Sequence, residues 1–233
     1  MMKTVKILSG GAAAAVVKGV KADFEAANAC TIDGTFSAVG AMRDQLVAGA
    51  PCDLVILTRG LVDQLIASGH VVAGSARSLG LVKTGVAVRS GTPHPQVGTR
   101  EELRAAFAQA QGIYFPDPKL ATAGIHFMKV LTALGLNESM ADKFRVYPNG
   151  ATAMGEMAKS DEPNLIGCTQ VTEINYTAGV DLVANLPQEF ELVTDYTLGV
   201  CTAAADPVLT QQLAESLSGA ASAAIRRQGG FEF

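Results

Sequence analysis

Tryptophan is absent from this sequence of 233 residues, and all aromatic residues together make up only 6 % of it. Clusters of lysine and arginine are absent too, and the formal net charge is −4. This charge balance argues against nucleic acid or an anionic membrane surface as a partner. No apolar run approaches the length of a membrane-spanning helix. We therefore expect no nucleic-acid binding and no direct membrane insertion.

Recognisable metal and redox patterns are missing as well. The four cysteines lie far apart and none forms a C-x-x-C pair, so they fit neither a zinc site nor a disulfide framework. We interpret them as small buried hydrophobic residues. No spacing indicates a catalytic triad, a metal-binding cluster or a carboxylate pair. The sequence therefore predicts neither a metal ion nor a cofactor.

What the sequence does contain is a regular alternation of strand-like and helix-like segments. Hydrophobic residues make up 48 % of the chain and charged residues 17 %, which is typical of a protein with a sizeable core. Residues 53–57 (DLVIL) form a nearly continuous apolar run, as expected for a parallel strand covered on both faces. Residues 99–102 (TREE) have the spacing of a capping box, which predicts a helix start. A long alanine-rich helix is predicted over residues 207–227.

The strand–helix pattern occurs once before about residue 80 and again between about residues 85 and 190. It predicts an α/β protein with two lobes, each a mostly parallel sheet flanked by helices. We assign residues 1–82 and 195–233 to the first lobe, which is discontinuous in sequence. Residues 83–194 are assigned to the second lobe, including the segments that cross between the two.

Ligands of such sheets bind beyond the carboxyl ends of the strands, so the residues that follow each strand are the candidates. The first strand ends at Ser9, Gly10 and Gly11 and turns directly into a helix, whose N–H groups and dipole suit a small anion. A tight turn that needs glycine for steric reasons alone explains the same residues equally well. The other strand ends supply Ser37, Thr58, Arg59, residues 119–122, Asn149, Thr169 and Gln170.

Two side chains among these candidates could carry specific chemistry. Arg59 follows a wholly apolar strand, where its guanidinium could hold a carboxylate through two parallel hydrogen bonds. His126 is placed in the first turn of a helix, where it could donate to a carboxylate or transfer a proton. Each also has a simpler interpretation, an exposed arginine at a helix start and a histidine that merely packs. Glu173 is most simply a solvated helix residue.

Three stretches carry a resemblance to a known family. They are residues 40–53 (GAMRDQLVAGAPCD), the segment 117–136 that contains DPK, AG and LGL, and residues 227–231 (RQGGF). In this order they resemble the molybdate-binding periplasmic proteins and their type II solute-binding relatives. The resemblance covers nearly the whole chain and implies a periplasmic-binding-protein-like fold with a cleft between the lobes. It also implies a monomer and, as partner, an ABC-type membrane transporter.

The resemblance extends less well to the residues that bind the oxyanion. Two serines of the family fall at Ala12 and Val39 in this sequence, and its tyrosine falls at Gln170. The backbone donors that align with Ala123 and Gly150 do not depend on a side chain. Each charge-assisted hydrogen bond lost from a buried site costs about 1.5–3 kcal/mol, so we expect weak molybdate binding. The ligand-binding residues expected here are Ser9, Gly10, Gly11, Ser37, Arg59, Thr122, Ala123, His126, Asn149 and Gln170.

Two classes of function follow from the resemblance. The first is a solute-binding protein for a small anion, with an organic di- or tricarboxylate favoured and molybdate or tungstate as a further alternative. The second is an isomerase on the same fold, similar to aconitate isomerase, with His126 and Arg59 as its catalytic residues and no cofactor. No signal peptide is recognisable at the N-terminus. We expect a periplasmic protein if one has been removed and a cytoplasmic protein otherwise.

Overall fold

The computed structural model describes residues 3–233, which divide into two compact units. The first unit holds the chain up to Leu81 together with Thr194–Phe233, and the second holds Val82–Val193. Within residues 3–233, no helix is long and apolar enough to span a membrane.

The first unit begins with three strands that alternate with three helices. These elements are β1 (Lys3–Gly10), α1 (Ala14–Asn28), β2 (Cys30–Ser37), α2 (Val39–Val47), β3 (Leu54–Thr58) and α3 (Arg59–Ala67). A single 3-10 turn, Gly11–Ala13, joins β1 to α1. Strand β1 lies between β2 and β3 and is parallel to both, as strands joined by helical crossovers must be. Residues 54–57 of β3 are fully buried, which accounts for their continuous apolar sequence.

The second unit contains five strands and four helices. They are β4 (Arg77–Arg89), α4 (Arg100–Gln109), β5 (Gly112–Pro116), α5 (Thr122–Ala133), β6 (Phe144–Tyr147), α6 (Gly150–Lys159), β7 (Leu165–Gln170), α7 (Val171–Asn175) and β8 (Val180–Asn185). The first residues of β4 still belong to the first unit. Strand β5 is parallel to β6 and β7, whereas β4 pairs antiparallel with β7 and β8.

Three phenylalanines mark the core of the second unit. Phe127 of α5 packs against Phe107 of α4 and Phe115 of β5, with ring centroids 5.0 Å and 5.3 Å apart. All three side chains are fully buried. Because α5 contacts both a strand and a neighbouring helix through one ring, the start of α5 is held firmly beside the end of β5.

The chain returns to the first unit through β9 (Val193–Val200) and ends in α8 (Pro207–Ser218) and α9 (Ala223–Gly229). Strand β9 pairs antiparallel with β3, from Leu54 opposite Val200 to Thr58 opposite Tyr196. The single helix predicted over residues 207–227 is therefore wrong, because the chain breaks at Gly219. That residue has an extended backbone (φ −80°, ψ −172°), and a 3-10 turn over Ala220–Ser222 follows.

Buried Arg226 stabilises the break between α8 and α9. Its Nη2 donates to the carbonyl oxygens of Ser218 and Gly219 at 2.8 Å and 2.7 Å, and its Nη1 donates to Leu79 O at 2.7 Å. Its Nε donates to the hydroxyl of Ser222 at 3.2 Å. The carbonyl groups at the end of α8 thus find a charged donor in place of the next helical turn.

Candidate functional site

In the first unit, the carboxyl ends of β1, β2 and β3 lie at one edge of the sheet. The parallel register places Gly10 opposite Ser37, and Ser9 opposite Ile56 one strand further on. A helical turn or helix begins directly after each of these strands. The N-cap residues Gly10, Ala38 and Thr58 are extended and make no side-chain cap hydrogen bond. The N–H groups of these first turns are therefore open to an external acceptor.

The predicted residues at this edge have different roles. Ser9 is fully buried, and its hydroxyl donates to Gly10 O at 2.9 Å, so it is already engaged with the backbone. A Cβ on Gly10 would lie only 2.7 Å from Val39 Cγ1, so the close approach of α2 requires glycine there. Gly11 begins the 3-10 turn, and Ser37 ends β2; both are half-buried.

Arg59 is the first residue of α3, and its side chain is 54 % exposed. Its Nε donates to both carboxylate oxygens of Asp63, one turn further along the helix, at 2.9 Å and 3.0 Å. This is an exposed ion pair of the (i, i+4) type, which contributes only about 0.3–0.5 kcal/mol to stability. Little free energy is therefore lost if Arg59 exchanges Asp63 for the carboxylate of a ligand.

In the second unit, the carboxyl ends of β5, β6 and β7 lie at one edge of their sheet. Pro116 at the end of β5 pairs with Tyr147 at the end of β6, and the helices α5, α6 and α7 follow these strands. The N-cap of α5 is Ala121, which makes no side-chain cap hydrogen bond. The first-turn N–H groups of Thr122 and Ala123 are thus available, as in the helices of the first unit.

Asn149 and Gly124 have structural roles at the same edge. Asn149 is the N-cap of α6, and its Oδ1 accepts the N–H of Thr152 at 2.8 Å, so its side chain is occupied. A Cβ on Gly124 would overlap the carbonyl oxygens of Pro116 and Asp117. Glycine therefore lets the first turn of α5 pack directly on the end of β5.

Glu173 in α7 is the residue that sequence reasoning placed wrongly. Its side chain is buried, not solvated as the sequence predicts, and its Oε2 accepts the hydroxyl of Thr169 at 2.6 Å. The backbone N–H groups of Ala151, Gly150 and Gln170 donate to the same carboxylate. Burial raises the pKa of Glu173 above its ordinary value, while these hydrogen bonds oppose the rise.

The Glu173 carboxylate therefore occupies the N-terminus of α6. The N–H of Gly150, which the family resemblance left available to an oxyanion, already donates to a side chain of this chain. A second anion placed there would have to approach a carboxylate in a poorly solvated site, which is unfavourable when Glu173 is ionised. The sequence contains one signal of this arrangement, a glycine at the first position of α6, where a Cβ would overlap Thr169 Oγ1 and Glu173 Oε2.

His126 lies in the second turn of α5 and not in the first as predicted, because α5 already begins at Thr122; the residue is half-buried. Its Nε2 is 2.8 Å from the carbonyl oxygen of Phe190, in the 3-10 turn Gln188–Phe190. A carbonyl oxygen can only accept a hydrogen bond, so Nε2 carries the proton in this arrangement. Nδ1 is then the ring atom that remains to accept a proton from a substrate.

Gln170 ends β7 and is buried, and it lies opposite Thr84 of β4 in the antiparallel ladder. Thr172 follows Gln170 by two positions in the sequence. The hydroxyl groups of Thr84 and Thr172 are buried, and neither has a hydrogen-bond partner among the residues that the structure describes. A buried polar group without a partner costs about 1–3 kcal/mol. Isolated threonines in a strand and a helix carry no spacing signal, so the sequence alone indicates no role for these two residues.

Within residues 3–233, no group of three or more His, Cys, Asp or Glu side chains is arranged to hold a metal ion.

Comparisons with known proteins identify the family of the chain and proteins that share its fold. A family model described as "Bacterial extracellular solute-binding protein" matches residues 5–232. Aconitate isomerase from a Pseudomonas species is 25 % identical over 223 residues, which cover 92 % of this chain and 82 % of that protein. The periplasmic molybdate-binding protein of Azotobacter vinelandii has a TM-score of 0.81 at 16 % identity, covering 98 % of this chain and 99 % of its own. A structure of PEB3 with L-phospholactate bound has a TM-score of 0.70 at 11 % identity, covering 98 % and 99 %.

Proposed function

Since the chain belongs to the family of bacterial extracellular solute-binding proteins, we propose that it binds a small organic di- or tricarboxylate and delivers it to an ABC-type membrane transporter. The binding groups in this proposal are the open helix N-termini after β1, β2 and β3 in the first unit, together with the Arg59 side chain.

The pattern of helix capping is the observation that carries the proposal. The helical segments that follow β1, β2, β3 and β5 make no side-chain hydrogen bond at their N-caps. Helix α4, in contrast, has a complete capping box at Thr99, and α8 is capped by Asp206. An uncapped N-terminus attracts an anion through its N–H groups and the helix dipole. Open N-termini thus lie at four of the strand ends where ligands bind in such sheets, whereas α6, after β6, is capped by Asn149.

Three features favour a carboxylate over molybdate. Ala12 and Val39, where the molybdate-binding family has serines, are buried and carry no hydroxyl. The Glu173 carboxylate fills the N-terminus of α6. Arg59 offers a planar guanidinium, which suits a planar carboxylate better than a tetrahedral oxyanion. Aconitate isomerase, which is 25 % identical to this chain, acts on a carboxylate by its name.

Calorimetric titration of the purified chain tests this proposal. Citrate, cis-aconitate, trans-aconitate, tricarballylate and succinate are the carboxylate probes, and molybdate and sulfate are the oxyanion probes. We expect at least one carboxylate to bind with a Kd of about 1–100 μM, which corresponds to about −5.5 to −8 kcal/mol, and molybdate to bind far more weakly. Tight molybdate binding without a response to any carboxylate would overturn the proposal.

Arg59→Ala is expected to weaken carboxylate binding 5-fold to 30-fold, or about 1–2 kcal/mol. The reason is the loss of a charge-assisted hydrogen bond at a site that remains partly solvated. Arg43→Ala is the matched control, because Arg43 also lies in a nine-residue helix of the first unit and pairs with an aspartate of that helix, Asp44, at 2.6 Å. Equal affinities of wild type and Arg59→Ala would remove Arg59 from the site.

The isomerase is the second candidate, and the similarity to aconitate isomerase over 92 % of this chain favours it. Interconversion of cis- and trans-aconitate removes one proton and returns another at the far end of the allyl system. In this alternative, His126 would transfer the proton through Nδ1, and Arg59 would stabilise the charge that develops.

His126→Gln separates the two candidates. The glutamine amide can still donate to Phe190 O, so the fold of α5 is retained. For an isomerase, we expect turnover of cis-aconitate, followed by proton NMR, to fall at least about 100-fold while the Kd changes only a few-fold. The control is His94→Gln, at an exposed turn. If wild type converts no cis-aconitate, the isomerase candidate fails; undiminished turnover in His126→Gln would exclude His126 as the proton carrier.

A further inference from the structure

A pair of buried cysteines lies at the amino-terminal end of β3, away from the strand ends described above. Cys52 precedes β3 and Cys201 follows β9, and the two sulfur atoms are 3.7 Å apart. Both residues line a cavity of about 340 Å³ in the first unit, together with Lys6, Asp53 and His70. No local pattern indicates this pair, because 149 positions separate the two residues.

The backbone around the two cysteines is held in place on both sides. The N–H of Cys201 donates to Asp53 O at 2.8 Å, which extends the ladder between β3 and β9 by one residue. The Asp53 carboxylate accepts the N–H groups of Lys6 and Ala205, each at 2.7 Å. Formation of a disulfide bond of about 2.05 Å requires the sulfurs to approach by only about 1.7 Å, a change that side-chain rotation can supply.

We propose that Cys52 and Cys201 form an intramolecular disulfide by thiol–disulfide exchange with a small disulfide. Cys52, whose own thiol donates to Leu54 O at 3.2 Å, is the attacking group because its sulfur also accepts the thiol of Cys201. The same hydrogen bond lowers the pKa of Cys52 and raises that of Cys201. Cys52 lines the cavity, through which the reagent would approach it.

The exchange proceeds in two steps. The Cys52 thiolate attacks one sulfur of the reagent disulfide, forming a mixed disulfide and releasing the first thiolate of the reagent. Cys201 then loses its proton and attacks Cys52 Sγ, so that the protein disulfide forms and the second reagent thiolate leaves. Two protein thiols are oxidised and one reagent disulfide is reduced to two thiols. Disulfides persist in oxidising compartments, which agrees with a family described as extracellular.

The disulfide would close a loop that contains the whole of the second unit, Val82–Val193. Closing a long loop restricts the unfolded chain, so the oxidised protein should unfold at a higher temperature, with Tm raised by about 5–15 °C. The pair lies at the opposite ends of β3 and β9 from Thr58 and Tyr196, so carboxylate affinity should be equal in the two redox forms. An experiment that refutes the disulfide therefore leaves the proposed carboxylate binding unaffected, and the reverse also holds.

Oxidised glutathione tests the proposal on the full chain, after reduction and removal of the reductant. We expect titratable thiols, counted after unfolding, to fall from four to two, since all four cysteines are free in the reduced protein. Mass spectrometry of proteolytic peptides should link Cys52 to Cys201, and a phosphine reductant should reverse both this link and the rise in Tm. Four thiols remaining, a link to another cysteine, or an unchanged Tm would each overturn the proposal.

Two serine variants identify the order of attack. In Cys201→Ser, no second thiol can attack the mixed disulfide on Cys52, so the protein should retain one glutathione adduct on Cys52. Cys30→Ser is the control and should form the Cys52–Cys201 link at the wild-type rate. If Cys201→Ser fails to fold, the thiol count and peptide map of the wild type still decide the proposal. An adduct on a cysteine other than Cys52 would contradict the assigned role.

Discussion

Arg226→Met is expected to lower the free energy of unfolding by about 3–5 kcal/mol. Arg226 is 5 % exposed, and its guanidinium donates to three carbonyl oxygens, those of Leu79, Ser218 and Gly219. Methionine fills a similar length but donates nothing, so the carbonyl groups at the end of α8 and in β4 lose their charged donor. Because the backbone breaks at Gly219, these groups cannot be satisfied by an extension of α8.

Arg227→Met is the matched control for this variant. Arg227 is the next residue of α9, is exposed, and shares with Arg226 a contact with the Phe233 ring, at 4.6 Å and 4.3 Å from the centroid. Losing such a contact at an exposed position costs about 0.5–1 kcal/mol. Urea denaturation followed by circular dichroism measures both variants. Equal losses in the two would show that the buried hydrogen bonds of Arg226 contribute no more than its ring contact.

The α/β class of the chain could be predicted because it depends on local patterns. Residues 54–57 are apolar throughout because β3 is covered on both faces, and the capping box at Thr99 is present as its spacing predicted. The predicted periplasmic-binding-protein-like fold is confirmed by the likeness to the molybdate-binding protein of Azotobacter vinelandii. The apolar strand and the capping box can be recognised in a single sequence because each involves residues within a few positions of one another.

Glu173, Cys52 and Arg226 show where sequence reasoning fails. Glu173 binds N–H groups of residues more than twenty positions earlier, and Cys52 meets Cys201 only through the register of β3 with β9. A single glutamate or arginine in an amphipathic helix has the same local pattern whether it faces solvent or the interior. The polar contacts that shape the candidate site are thus set by strand order and register, which no local spacing contains.

Gly150→Ala is expected to lower the free energy of unfolding by about 2–4 kcal/mol. A Cβ at this position would overlap Thr169 Oγ1 and Glu173 Oε2, both buried. Neither atom can move away cheaply, because the Glu173 carboxylate accepts the Thr169 hydroxyl and the N–H groups of Gly150, Ala151 and Gln170. Displacing the carboxylate leaves buried donors without an acceptor, which adds to the steric cost.

Gly155→Ala, in the same helix, is the control for Gly150→Ala. A Cβ on Gly155 meets no heavy atom within 4 Å, so alanine there should stabilise the protein by about 0.5–1 kcal/mol through helix propensity. Each variant replaces a different glycine of α6 by alanine. We expect the two variants to shift the urea midpoint in opposite directions. If Gly150→Ala also stabilises the protein, the Glu173 carboxylate does not occupy the N-terminus of α6. That position would then be open to a bound anion, and molybdate would regain one of its backbone donors.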